Sequence, residues 1–174
     1  MVVVSIIGIM AAGIAPAITS ALADGRAANA AVDLVRIGGR ARSEATFTGL
    51  AHCLTYTAGQ NGGFGQVQLY RGVNNRCNMQ NWGGALIDSV VLAQYNYGNT
   101  HVINVQPSAG NQAQIDICYQ PDGAMLVRFG GGGNFAPPAT NGVAFTVTRT
   151  VNGGAGGVAR QVFFPYGGTA RLDR

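Results

Sequence analysis

From Met1 to Ala23 the chain carries no ionisable side chain, and no other stretch limits its possible folds so strongly. Only Val, Ile, Ala, Gly, Met, Leu, Pro16 and the hydroxyls of Ser5, Thr19 and Ser20 occur there. About 20 apolar residues suffice for a helix to cross the hydrocarbon of a bilayer. Three readings compete. One is a membrane-spanning or membrane-anchoring helix. Another is a secretory signal peptide, cleaved after Ala21-Leu22-Ala23 and before Asp24. The third is a buried core helix. The first is favoured, because no Lys or Arg precedes the run, the run exceeds an ordinary signal-peptide core, and buried helices seldom lack polar residues on every face.

Pro16 removes a backbone donor and crowds the carbonyl of Ala12, so a local break in the helix is expected there. Gly8 and Gly13 permit close approach of neighbouring helices, which can tolerate such a break. A helix of this kind suits packing among copies better than standing alone in lipid.

Beyond Asp24 the period stays helical. Ala28, Ala31, Val32, Val35 and Ala41 are expected on an apolar face, with Asp24, Arg26, Asp33, Arg36, Arg40 and Glu44 mostly elsewhere. This amphipathic helix should run from Gly25 to Ser43, weakened at Gly38-Gly39, and join the apolar head as one long helix. From Ala51 the period drops to two. Strands are expected at Ala51–Thr57, Phe64–Tyr70, Ala85–Ala93, Thr100–Gln106, Gln112–Tyr119, Ala124–Phe129, Val143–Val151, Val158–Phe164 and Thr169–Leu172. Turn chemistry separates them, as at Asn61-Gly62-Gly63, Pro121-Asp122-Gly123, Gly130–Gly133 and Asn152-Gly153-Gly154. The fold class is therefore α+β: a long N-terminal helix packed on an antiparallel, sandwich-like β domain. The expected divisions are 1–23 (the membrane or core half of the helix), 24–45 (its amphipathic half) and 46–174 (the β-rich body).

Composition narrows the functional classes. With 47% hydrophobic and only 10% charged residues, the chain is neither a charged disordered segment nor a long soluble coiled coil. Its 27 glycines follow no three-residue period, which excludes collagen. Eleven basic residues, all Arg, against seven acidic ones give +4, compatible with an anionic partner but not diagnostic of one.

Catalytic signals are poor. His52 and Cys53 are strand neighbours and point to opposite faces, so they form no direct thiol–imidazole pair. His101 and Asp116 have no informative spacing. Cys53, Cys77 and Cys118 show no metal-site spacing, so neither a metal nor a cofactor is implied. Gly130–Gly133 lacks the Lys-Ser/Thr and following helix of a phosphate loop. Six Asp and one Glu offer little for acid–base work by a carboxylate pair, and Asp122 reads as a turn residue. Arg160, Arg171 and Arg174 near the C-terminus could grip phosphate, although Asp173 offsets them and a solvated tail is the simpler reading. Trp82, Tyr95 and Tyr97 could stack on bases, but a lone Trp in a β domain is usually core.

The run Met1-Val-Val-Val-Ser-Ile-Ile-Gly-Ile-Met-Ala-Ala-Gly-Ile-Ala-Pro16 resembles the N-terminal helix of type IV pilins and type II secretion pseudopilins. In that family it follows a Gly-Phe-Thr-Leu-x-Glu-Leu motif read by a prepilin peptidase, so the resemblance implies a leader ahead of Met1. Gly-Arg40-Ala-Arg42-Ser-Glu44-Ala, the strand bearing Cys53, then Cys77, Trp82 and Gly83-Gly84 resemble the GspH/FimT group of minor pseudopilins and minor pilins. Pro121-Asp122-Gly123 and the closing Val162-Phe-Phe-Pro-Tyr-Gly-Gly-Thr-Ala-Arg171 look like that group's C-terminal hairpin.

The resemblance implies a non-enzymatic subunit of a type II secretion pseudopilus or type IV pilus. Its partners would be other pilins or pseudopilins, the inner-membrane assembly machinery, and membrane lipid before assembly. It also implies a single pass through the bacterial inner membrane, a periplasmic body, and a Cys53–Cys77 disulfide with Cys118 free. Gly8, Gly13 and Pro16 would serve helix packing. Arg26, Arg36, Arg40 and Arg42 all follow the span, which alone would place the body in the cytoplasm; a basic leader reverses that balance. Two alternatives stand beside this reading. One is a DNA-binding minor pilin using Arg160, Arg171 and Arg174, although the Gly168-Thr-Ala-Arg171 tail departs from the Gly-Arg-x-Arg of DNA-uptake members. The other is a β-sandwich secreted after signal-peptide removal.

Overall fold

The computed structural model describes residues 2–59, 64–79, 82, 85–96, 101–107, 112–151 and 154–173; for 2–16, 64, 79, 101, 102, 104 and 155 it describes the backbone path alone. One helix, α1, runs from Val2 to Thr48, about 70 Å at the α-helical rise. It passes through Pro16 and Gly38-Gly39 as one element. The break expected at Pro16 and the weakening expected at the glycine pair do not interrupt it. Its end is set by Gly49, which takes φ +70° and donates its N–H to the Ala45 carbonyl at 3.1 Å. That single bond to the carbonyl four residues back is the left-handed cap that favours glycine. Among the described residues, no helix is long and apolar enough to cross a membrane.

Among the described residues nine strands follow: β1 (His52–Gly59), β2 (Phe64–Arg71), β3 (Leu86–Val91), β4 (His101–Pro107), β5 (Gln114–Tyr119), β6 (Met125–Phe129), β7 (Gly142–Val151), β8 (Gly154–Pro165) and β9 (Arg171–Asp173). They form two antiparallel sheets, a five-stranded one ordered β3-β2-β1-β5-β6 and a four-stranded one ordered β4-β7-β8-β9. The α+β architecture read from the periodicity is thus present.

The helix buries Ala23, Ala27, Ala30, Ala31, Leu34, Ile37, Ala41 and Ala45. This repeats every three or four residues, as one face of a helix must. The face is rotated from the expected one, because Val32 is 53% exposed while Leu34 and Ile37 are buried. Alanine explains the rotation: small side chains let the helix settle deep against aromatic residues of the sheets, and that contact outweighs burying one more valine. Gly38 marks the closest approach. A Cβ there would stand 2.9 Å from Ala170 Cβ and nearer still to the Phe164 ring.

Both sheets share this core. Phe145 packs edge-on against Tyr56 and Phe164, each at 5.4 Å between ring centroids. The buried Tyr56 hydroxyl donates to the Val105 carbonyl at 2.8 Å, tying β1 of one sheet to β4 of the other.

The outer face of the five-stranded sheet is different. Along β2, Gln66 Nε2 and the Tyr70 hydroxyl both donate to Gln68 Oε1 there. A second, smaller apolar cluster forms at one end from Ala51, Cys53, Cys77, Cys118 and Phe135, with Trp82 and Leu126 against it.

Candidate functional site

The helix holds the functional geometry at three levels: a neck, a clamp and an exposed strip. At the neck, Arg149 of β7 is 5% exposed and reaches back to the last turns of the apolar head. Its Nη2 donates to Ser20 Oγ at 3.2 Å, Nη1 to the Ser20 carbonyl at 3.4 Å, and Nε stands 3.1 Å from Asp24 Oδ1. Gly157, at φ +81°, makes room beside this pair; a Cβ there would come within 3.0 Å of Arg149 Nε and closer to Asp24. The first charge after the apolar run is therefore met by a nearly buried guanidinium, and the junction is fixed to the β7–β8 hairpin. Asp24 was visible in the sequence as the boundary. Arg149 carried no signal, being one residue among many in an alternating strand.

Lower down, Arg36 and Arg40 both reach Asp88 Oδ2 of β3 at 3.0 Å, and Arg36 also pairs with Asp33 at 3.0 Å. The Tyr95 hydroxyl donates to Asp33 Oδ2 in a short bond. That bond holds the Asp33 carboxyl below its ordinary value against the opposing effect of burial, with Arg36 assisting. Burial acts to raise Asp88, but bonds from Arg36, the Ser89 N–H and Arg40 overcome it and leave Asp88 lowered. Tyr95 is pushed up to about 12, by burial first and then by its bond to Asp33. Tyr95 is thus part of the clamp, and it is not placed as a base-stacking ring.

The strip opposite the sheets exposes Ile18, Leu22 and Val32, each at least half accessible. Gly25 and Gly39 have open space beyond them, with nothing within 4 Å of a built Cβ. Gly8, Gly13 and Pro16 lie on the part of the helix described by backbone path alone, so their packing falls outside the described residues.

The expected disulfide is corrected. Cys77 is bonded to Cys118 with Cα atoms 6.0 Å apart, and Cys53 is the buried free thiol. The reason is strand order. β1 pairs with β5, which sets Cys53 directly opposite Cys118 inside the sheet, while Cys77 approaches over the outer face on a 3-10 turn. Chain distance carried no information about which cysteine that turn would meet.

The arginines proposed for phosphate do not share a face. Arg171 pairs in register with Phe163, while Arg160 pairs with Val147, and alternation puts positions 160 and 163 on opposite sides of β8. Arg171 lies over the Phe163 ring at 5.3 Å, and Arg160 donates to the Val158 carbonyl at 3.3 Å. Arg174 and Tyr97 fall outside the described residues, as does the His101 side chain.

His52 faces the helix with Nδ1 3.0 Å from the Leu50 carbonyl, and Cys53 faces away, as strand alternation predicts. Asp116 is fully buried on the outer face, where Arg128 Nη2 stands 2.7 Å away and Gln114 donates to its other oxygen at 3.0 Å. Asp122 accepts the Ala124 N–H at 3.0 Å, the work of a turn residue. Trp82 packs edge-on against Phe135 at 6.2 Å. Among the described residues no three His, Cys, Asp or Glu side chains gather as a metal site. No family model, no curated protein and no solved structure matches this chain.

Proposed function

We propose that this chain is a structural subunit of a pilus-like filament, a minor pilin or pseudopilin. Its uncharged N-terminal segment would anchor in the inner membrane before assembly and pack among neighbouring helices afterwards. One observation carries the reading: a single helix has its later half embedded in a β domain from Ala23 onward, and its earlier half is uncharged. That division suits a subunit whose head joins a shared helical core while its body faces outward. The neck contacts of Arg149 with Ser20 and Asp24 support it, since load passing through such a head must be transmitted to the body. The proposed role is mechanical and involves no chemistry. In a secretion machine the filament would move folded cargo across the outer membrane; in a pilus it would take part in biogenesis.

The deciding experiment is the intact mass and N-terminal sequence of the protein isolated from its own membrane fraction. An N-methylated residue upstream of Met1 supports filament membership. A mature chain beginning at Asp24 overturns it in favour of a secreted domain. The DNA-binding alternative is less supported, because Arg160 and Arg171 lie on opposite faces of their sheet. Loss of a salt-sensitive gel shift on Arg171→Ala would restore it.

A further inference from the structure

The outer-face cluster holds one disulfide and one thiol in a single buried group, and every cysteine of the chain belongs to it. Cys53 and Cys118 are register partners on neighbouring antiparallel strands. Such partners have Cα atoms about 4.5–5.5 Å apart and side chains on the same face. A disulfide needs roughly 4.4–6.8 Å between Cα atoms, so this separation suits bridging as well as the 6.0 Å of Cys77 and Cys118 does. Cys118 is therefore placed to bond either neighbour. The two bridges differ in what they hold. Cys77–Cys118 ties the 3-10 turn to the sheet, whereas Cys53–Cys118 would join two strands that are already hydrogen-bonded.

We propose that Cys53, Cys77 and Cys118 form an exchange set in which the bridge can pass from Cys77–Cys118 to Cys53–Cys118, releasing the turn that carries Cys77. In the exchange Cys53 gives its proton to solvent and its thiolate attacks Cys118 Sγ. The Cys77–Cys118 bond breaks, and Cys77 leaves as a thiolate that takes up a proton. One S–S bond forms as one breaks, so no outside oxidant or reductant is consumed.

Packing controls the step. Burial pushes the Cys53 thiol well up; the Asp116 charge adds to this, and the Thr55 hydroxyl and Arg128 oppose it only in part. In the closed cluster the attacking thiolate is suppressed, and Phe135 and Trp82 exclude solvent from it. Asn78 holds the cover shut from the other side, because its amide bonds both the N–H and the carbonyl of Phe135, at 2.6 and 3.2 Å. Once that cover loosens, Cys53 regains thiolate character and the bridge moves. The turn then loses its covalent tie, and the existing cleft of about 610 Å³ between Asn75–Asn78 and Gln120–Asp122 is free to widen. This device does not depend on the filament reading.

The test is disulfide mapping by mass spectrometry on the full-length oxidised chain, with iodoacetamide as the probe. In native buffer Cys53 should stay unlabelled and Cys77–Cys118 should be the only bridge. In urea below the unfolding midpoint at mildly alkaline pH, label should appear on Cys77 while Cys53–Cys118 accumulates in excess of Cys53–Cys77. Phe135→Ala should speed the transfer at least about threefold, since one pKa unit recovers about tenfold more thiolate but lowers its nucleophilicity about threefold. Cys77→Ser should form Cys53–Cys118 under a mild oxidant such as oxidised glutathione. The proposal fails if Cys77 stays bridged and Cys53 alone takes label throughout the urea series. It fails equally if folded Cys77→Ser leaves both remaining thiols alkylatable after oxidation.

Discussion

The two faces of the five-stranded sheet are covered by opposite strategies. On the inner face, the helix alanines and Phe145 and Phe164 of the four-stranded sheet cover Tyr56 and its neighbours in one continuous apolar core, with polar bonds such as Arg36 and Arg40 to Asp88 at its edge. On the outer face, a polar surface bears one short apolar strip, and its cover is held by the Cys77–Cys118 disulfide, the Asn78 amide and the Arg128 guanidinium stacked on Phe135, itself anchored by Asp116. A broad apolar surface stabilises itself at about 25 cal/mol per Å². A patch of a few side chains does not offset the entropy of ordering a loop, so directional bonds must hold it. The inner face should then fail as a unit with the whole fold, and the outer face should fail locally.

The Asp116–Arg128 pair tests the outer face most severely. Asp116 is fully buried, and Arg128 also stacks on the Phe135 ring at 4.5 Å. Arg128→Ala removes the partner of a buried carboxylate and should cost about 3–5 kcal/mol in urea unfolding. Pairing it with Asp116→Leu should recover most of that loss. A single-variant cost below about 1 kcal/mol, the range of surface pairs, would show that water reaches Asp116 and that the cover is not closed.

Removing the disulfide with Cys77→Ala and Cys118→Ala opens a loop spanning 41 residues. Chain entropy gives about 4 kcal/mol for a loop of that size. If the outer cover opens locally, fast amide exchange should be confined to residues around Cys77 and Phe135, with β1 and β5 still protected. Uniform loss of protection would erase the contrast between the faces.

On the inner face the corresponding change adds atoms. Gly38→Val places a branched side chain where even a Cβ would crowd Phe164 and Ala170. Overpacking of this kind costs roughly 1–3 kcal/mol. Here the loss should register identically by fluorescence, circular dichroism and amide exchange, because helix and sheets unfold together. Gly39→Ala, one residue on and open to space, should instead be neutral or slightly stabilising, as expected for Gly→Ala in a helix.

How far each face was legible follows from the range of the contacts that build it. The helix and the period-two segments are local patterns, and the strand positions follow from alternation and from turns such as Pro121-Asp122-Gly123. Which way the helix turns is not local. Val32 is the more hydrophobic residue, yet it is exposed, because the sheets select the face that can approach closely, and Ala27, Ala30 and Ala31 provide it. The cysteine pairing is further still from local pattern, since it depends on β1 lying beside β5 and on where a turn after β2 falls. Arg149 shows the same limit at the neck: its role comes from a strand end meeting the helix about 130 residues earlier in the chain.

His52 offers the gentlest test, because it sits where the inner core meets the helix end. Burial lowers its pKa from the ordinary 6.5, with the Leu50 carbonyl and the Glu44 charge opposing and Arg71 reinforcing. The unfolded chain therefore takes up a proton at a higher pH than the folded chain does. Stability from this group is complete above pH 6.5 and declines as pH falls from there toward the lowered folded value, after which it is constant. Urea midpoints of wild type measured between pH 8 and pH 5 should fall with that sign, and His52→Gln should flatten the slope. The Asp33 and Asp88 carboxyls, also lowered, contribute only at more acidic pH: their stability is present above about pH 4 and is lost as pH falls through their folded values. A slope that survives in His52→Gln would assign the titration to another group and leave the inner face with no pH-sensitive member at its edge.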